Sequence, residues 1–159
     1  MSAPLTDTEI SPGVDGYQCA RAWVALRWMY EHVTEQLTAA LARECGLTIN
    51  DYEVLVHLRV SEPRRPRLGD LNEVVSLSQP ALSRLVMRLE QQGLVRRLDA
   101  DDDRRSVLIE LTEAGRATIE KAMPIHAECV RRFLTGRMSD AEQASLVATF
   151  DRIRGEDAE

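Results

Sequence analysis

The stretch Asp99–Thr112, DADDDRRSVLIELT, sets Asp99, Asp101, Asp102 and Asp103 beside Arg104 and Arg105 and then passes into alternating apolar residues. Two chemistries are open to it. Counted from Asp99, carboxylates stand at the first, third, fifth and twelfth places (Asp99, Asp101, Asp103, Glu110), close to the oxygen-ligand spacing of a calcium-binding loop. The sixth place breaks that pattern. Such a loop needs glycine there for its sharp turn, and Arg104 brings a side chain and a repelling positive charge instead. Calcium loops also lie between helices, whereas Leu94–Leu98 and Ser106–Leu111 read as strands. The second chemistry is that the acids orient the arginines: Asp103 is placed to fix the direction of Arg105, while Asp99, Asp101 and Asp102 form the turn of a hairpin. A solvated hairpin tip also fits these residues.

The rest of the chain bounds the choice. A length of 159 residues with 44% hydrophobic and 29% charged content predicts one cored domain, with room for a small appendage. No apolar run is long enough to cross a bilayer, and the opening MSAPLTDTEI has neither the basic nor the apolar region of an export signal, so a cytoplasmic location is expected. Cys19, Cys45 and Cys129 are too scattered for a zinc site and too few for a disulfide framework, and read as reduced thiols. The net charge of −6 disfavours indiscriminate polyanion binding, yet Pro63–Arg105 holds nine arginines against seven acids. One basic section inside an acidic chain points to one face for a polyanion and repulsion elsewhere.

Residues 1–16, with Pro4, Pro12, Gly13 and Gly16, read as a loose arm. From Gln18 to Glu44 the apolar positions Cys19, Ala22, Trp23, Leu26, Tyr30, Val33, Leu37 and Leu41 recur three or four apart, which predicts a long amphipathic helix ended by Gly46. Thr48 with an acid three residues on at Asp51 comes close to a capping box, and Leu47 and Tyr52 sit where a staple would close, opening a second helix to about Val60. SEPRRPR, Ser61–Arg67, reads as a proline-broken basic loop, more a solvated connection than a phosphate contact. A short helix is expected over Gly69–Val75, burying Leu71, Val74 and Val75.

The helix that follows, SQPALSRLVMRLEQQG, has Ser78 as expected N-cap, Pro80 tolerated in the first turn and Leu77 with Leu82 as a staple. Leu82, Leu85, Val86 and Leu89 share its inner face; Pro80, Ser83, Arg84, Met87, Arg88 and Gln91 lie opposite, and Gly93 ends it. A hairpin comes next, with Val107, Ile109 and Leu111 on one face of its second strand and Leu108 and Glu110 on the other. A long helix from Thr112 to Leu134 contains Pro124, and Ser139 with Glu142 caps a last helix whose Leu146, Phe150 and Ile153 form a stripe.

A helix-turn-helix followed by a hairpin suits duplex DNA. Arg84 and Arg88, one turn apart, reach guanine edges or phosphates in a major groove, and Ser78, Gln79 and Ser83 offer polar groups near the helix start beside Pro80. The guanidinium of Arg105 at the hairpin tip is attracted into the negative potential of a narrow minor groove, and holding it in advance lowers the entropy lost on binding.

The order of elements, together with SLSQPALSRLVMRLEQQGLVRR and DRRSVLIELTEAG, closely resembles the MarR family of winged helix-turn-helix regulators over residues 18–153. The matching motifs are LSR, the LE..GLV.R close of the recognition helix, the Asp-x-Arg of Asp103 and Arg105, and LT..G at the next helix start. The resemblance implies a mainly α fold with a small β-hairpin wing (α+β), a winged helix-turn-helix at 47–112, and dimerisation helices at 17–46 and 113–155. It further implies a homodimer on a pseudopalindromic DNA operator, usually a repressor released by a small-molecule effector, with Arg104 beside Asp103 and Arg105 in the wing. Apolar stripes on the first and last helices longer than one winged domain covers agree with a partner subunit, and the dimer's two recognition helices would lie about one turn of DNA apart.

In the family the effector pocket lies between the dimerisation helices and the winged domain. Trp23, Arg27 and Tyr30 on the first helix and His57 on the second are the candidates, an aromatic wall with a cation suited to a small aromatic or carboxylate ligand. Core or dimer packing for the aromatics and an ion pair for Arg27 are the plainer alternatives. Cys19 stands near the place of the reactive thiol in peroxide-sensing members and offers a redox alternative, against a packed inert thiol; the usual tyrosine partners are not convincingly present. An enzyme is not expected, because His32, His57 and His126 accompany no nucleophile elbow, phosphate loop or HExxH pair. No metal site, cofactor or membrane partner is implied.

Overall fold

The structure is a computed structural model that describes the backbone of residues 14–73, 75–100 and 103–155, with side chains throughout except at 14, 15, 73, 99, 100 and 103–106. Its elements are α1 (Val14–Cys45), α2 (Ile49–Ser61), a 3-10 turn at Asp70–Glu73, α3 (Gln79–Gln91), β1 (Val95–Ala100), β2 (Asp103–Leu111), α4 (Glu113–Phe133), a second 3-10 turn at Thr135–Arg137, and α5 (Asp140–Arg154). This is the mainly helical fold with a single hairpin that the spacing predicts. The residues gather into two compact units, Leu37–Val130 and the pair of end segments up to Gln36 and from Arg131.

Leu37–Val130 holds nearly the whole core. Leu41, Val54, Leu55, Leu71, Leu82, Val86, Leu89, Ile109 and Ile119 are fully buried and form one cluster with Leu47 and Tyr52, the residues expected to staple the entry to α2. Gly46, at φ +67°, lets the chain leave α1 by a left-handed turn that a side chain would strain. Thr48 then caps α2 reciprocally: its hydroxyl accepts from the Asp51 N–H, while the Asp51 carboxylate accepts from the Thr48 N–H at 2.9 Å and hydroxyl at 2.7 Å.

Two local expectations change. The 61–67 segment is more than a solvated connection, because the Leu68 N–H donates to the Val107 carbonyl and the Ile109 N–H to the Pro66 carbonyl, both at 2.9 Å, so it lies along the free edge of β2. Proline is compatible with such an edge, where its missing N–H faces away from the partner. The short helix expected at Gly69–Val75 is a 3-10 turn that buries Leu71 and Val75; Val74 lies outside the described residues.

Before α3, Ser78 has the extended backbone of an N-cap but makes no side-chain cap bond. Its carbonyl instead receives the Leu82 N–H, and Pro80 in the first turn removes one of the donors that would otherwise want a partner. Leu82, Leu85, Val86 and Leu89 form the buried face. The strands pair antiparallel from Val95 opposite Leu111 to Asp99 opposite Val107, with a bulge before Ala100 opposite Asp103, so the hairpin runs further toward its tip than Leu94–Leu98 with Ser106–Leu111. Thr112 joins this sheet to α4, donating to the Gly93 carbonyl at 2.6 Å and accepting from the Gly115 N–H at 3.0 Å. Pro124 lies inside α4, whose assignment continues through it to Phe133.

The unit made by the chain ends has little core. Among its described residues only Val33 is buried, while Trp23, Leu26, Trp28, Tyr30, Val147 and Ile153 stand exposed. His32 stacks on Trp28, with centroids 5.2 Å apart, and meets Phe133 edge-on at 5.6 Å. The helix here begins at Val14, inside the arm expected over 1–16, whose first 13 residues lie outside the described set. Ser139 and Glu142 form the expected capping box of α5, the backbone N–H of Ser139 and then its hydroxyl holding the Glu142 carboxyl below its usual range.

Candidate nucleic-acid interface

The outer face of α3 carries Gln79, Pro80, Arg84, Met87, Arg88 and Gln91, all exposed, with Ser78 exposed before them and Ser83 half-buried. Arg84 makes no ion pair among the described residues and extends a free guanidinium. Arg88 is different: its Nη2 donates to the Asp51 carboxylate at 2.6 Å. That carboxylate is 1% exposed and also caps α2, while the Arg88 side chain keeps 44% of its surface. Asp51 therefore ties the start of α2 to the outer face of α3. A buried carboxylate demands this many donors, since its oxygens have left water.

The wing is anchored by two clusters that sequence reading missed. On its outer face the Glu110 carboxylate accepts from Arg96 Nε of β1 at 2.5 Å and from Arg65 Nε of the 61–67 segment at 3.0 Å. These guanidiniums, Arg96 first, hold the Glu110 carboxyl below the ordinary glutamate range. On the side of α3, the Arg97 N–H donates to Glu90 and its Nη2 to the Ser83 carbonyl, at 3.2 and 3.3 Å. Alternation had placed Glu110 on the face away from the core, but nothing in one sequence pairs it with Arg65, 45 residues earlier.

Glu110 was the twelfth ligand of the calcium alternative, and its engagement by two guanidiniums, together with strands rather than helices on both sides, removes the basis of that reading. The backbone of Asp103, Arg104 and Arg105 belongs to β2; the expected pairing of Asp103 with Arg105 falls on side chains outside the described residues.

The effector candidates divide between the units. Trp23 and Tyr30, 64% and 69% exposed, lie on α1 among the end segments, and Arg27 there donates to Glu31 at 3.0 Å, the ion pair named as its plainer role. The exposure of both aromatics sets aside packing in the core of the subunit. His57 is half-buried on α2 in the other unit. Cys19 is exposed, Cys45 half-buried and Cys129 buried.

A helix pair, an exposed polar third helix and a hairpin beside it define a winged helix-turn-helix transcriptional regulator. The MarR family model matches residues 47–107. The chain resembles AbsC, a MarR family transcriptional regulator from Streptomyces coelicolor, with 34% identity and TM-score 0.82 over 92% of this chain and 97% of that one. It resembles Sco3205 from the same organism, a MarR family regulator in complex with DNA, with 29% identity and TM-score 0.81 over 94% and 92%. The multiple antibiotic resistance protein MarR of Escherichia coli is 31% identical over 100 residues, 63% of this chain and 68% of that protein. The chain belongs to the MarR family: it is a DNA-binding transcriptional regulator, not an enzyme. No helix among the described residues is long and apolar enough to cross a membrane.

Proposed function

We propose that the chain acts as a homodimeric repressor on a pseudopalindromic operator and is released by a small aromatic or carboxylate effector. The observation that carries the DNA part is Arg84, without an ion pair among the described residues, on the exposed face of α3 next to a wing braced by Glu110 and Arg97. Arg84 reads bases or phosphates in the major groove, and Ser78, Gln79, Pro80 and Ser83 line the helix start. Arg88 joins them with its guanidinium held in advance by Asp51, and Arg105, directed by Asp103 and with Arg104 beside it, enters the minor groove. Sco3205, in complex with DNA, supports this part of the reading.

The exposed apolar residues of the end segments support the dimer, because so many large apolar side chains, Trp23, Trp28 and Tyr30 on α1 and Val147 and Ile153 on α5, are costly to leave in water. The effector part rests on the chemistry of Trp23, Arg27 and Tyr30 on α1 and, separately, of His57 on α2, whose aromatic and basic groups match such a ligand. Cys19, exposed near the start of α1, is the competing trigger: if Cys19→Ser protein still leaves DNA on peroxide treatment, a thiol switch at this residue is dismissed.

The DNA reading is tested by gel shift on the intergenic fragment beside the gene. Wild type retards it in a salt-sensitive manner, and Arg84→Ala and Arg105→Ala each bind about tenfold or more weakly while melting at the wild-type temperature. Retention of affinity by Arg105→Ala would remove the wing from the interface.

A further inference from the structure

Within Leu37–Val130 a cleft of about 290 Å³ opens between the end of α2, the 62–65 segment, β2 and the first turn of α4. It shares no residue with the α3 face, with the wing tip, or with Trp23, Arg27, Tyr30 and His57. Its floor is apolar and built from core residues: Leu58, Ile109 and Leu111, each 2% exposed or less. Three guanidiniums surround that floor, those of Arg64, Arg65 and Arg116, against two carboxylates, Glu62 and Glu110. The carboxylates are already engaged. Glu62 accepts from Arg116 Nε at 2.6 Å, and this bond raises the Arg116 pKa; Glu110 is shared by Arg65 and Arg96. Arg64 is exposed and has no ion-pair partner among the described residues. The cleft thus has one positive charge more than its own acids neutralise, above a greasy base.

We propose that this cleft is a binding site for a small amphipathic anion with a carboxylate head and an apolar body. The volume is the liquid-water share of about ten molecules at ~30 Å³ each, so the ligand is about that many heavy atoms in size. Its body lies along Pro63 and the methylene stems of Arg64 and Arg65, above a floor already closed by Leu58, Ile109 and Leu111; its head faces Arg64 and competes with Glu110 and Glu62 for Arg65 and Arg116. Because Glu110 links Arg65 to Arg96, beside the backbone bonds that already hold the 61–67 segment to β2, a head that draws Arg65 away removes the side-chain part of the brace at the base of the wing. That consequence rests on the effector reading above, while binding in the cleft does not.

Arginine side-chain NMR of the full chain tests the binding directly, with benzoate as probe and benzamide as its neutral counterpart. Benzoate is expected to shift the Nε–H resonances of Arg65 and Arg116 saturably. Benzamide should bind at least about tenfold more weakly, and Arg64→Gln should weaken benzoate about three- to tenfold, the range for loss of one partly solvated charged hydrogen bond. Trp23→Ala should leave these shifts unchanged, which separates the cleft from the α1 candidates. Absent shifts, an equal response to benzamide, full benzoate affinity in Arg64→Gln, or loss of the shifts in Trp23→Ala would each overturn the proposal. Binding that persists while the operator complex is unaffected would uphold the site and count against effector release.

Discussion

Asp51 shows how one side chain serves two helices. Its carboxylate satisfies the first turn of α2 through Thr48 and neutralises Arg88 on α3, so its loss removes a cap and leaves a guanidinium without its partner. Asp51→Ala is expected to cost about 2–4 kcal/mol in urea denaturation, the sum of a capping loss and a broken ion pair with one buried end. DNA affinity should fall with it, because Arg88 is then free to adopt many rotamers. His126 gives a second test. Its ring stacks on Tyr52 with centroids 4.4 Å apart, and burial pushes its pKa below the ordinary 6.5. The unfolded chain then takes up the proton first as the pH falls, so this residue's contribution is complete above the ordinary value and lost progressively below it. Thermal melts between about pH 8 and pH 5 should show that decline, and His126→Phe, which keeps the stack, should flatten it.

At the scale of elements, the join between sheet and α4 leaves no room for a side chain at Gly115. A Cβ at Gly115 would fall onto the Leu94 carbonyl oxygen, which is backbone and cannot step aside. Gly115→Ala is therefore expected to destabilise by about 2 kcal/mol or more, measured by denaturation, although alanine is the better helix former. The wing behaves as a lever held at its base, by Glu110 to Arg65 and Arg96 and by Arg97 to Glu90 and Ser83. Glu110→Gln should leave the core intact and weaken operator binding several-fold, as read by gel shift, because the tip is then aimed less narrowly. A drop in melting temperature matching that of Gly115→Ala would instead make Glu110 a fold residue.

For the molecule as a whole, the contrast between the units is the informative feature. Leu37–Val130 has a continuous core, whereas the end segments bury only Val33 among their described residues and expose tryptophans, a tyrosine and aliphatic side chains. Such surface is kept when a second chain covers it. Sedimentation should find a dimer, and the pair Val147→Glu with Ile153→Glu should shift it to monomer with little unfolding of the winged domain, since both residues are exposed in a single chain. Operator affinity should fall steeply in the same variant, because each monomer reaches only one half-site.

Local signals determined most of the elements. The Thr48–Asp51 and Ser139–Glu142 boxes, the positive-φ glycines Gly46 and Gly93, and the apolar faces of α3 and β2 each depend on neighbours within a turn or a strand, so spacing alone reveals them. The glycine of the LT..G motif was legible as a family mark, but its reason, the Leu94 carbonyl, lies across a strand. What only the tertiary structure decided is which charges meet: Asp51 with Arg88, Glu110 with Arg65, Glu62 with Arg116. Those pairs join residues 37, 45 and 54 positions apart. Periodicity records which side of an element faces water, but the partner of an exposed charge is set by how separate elements are brought together around the core. For that reason the exposed face of α3 could be read from the chain, while the brace of the wing and the cleft beside it could not.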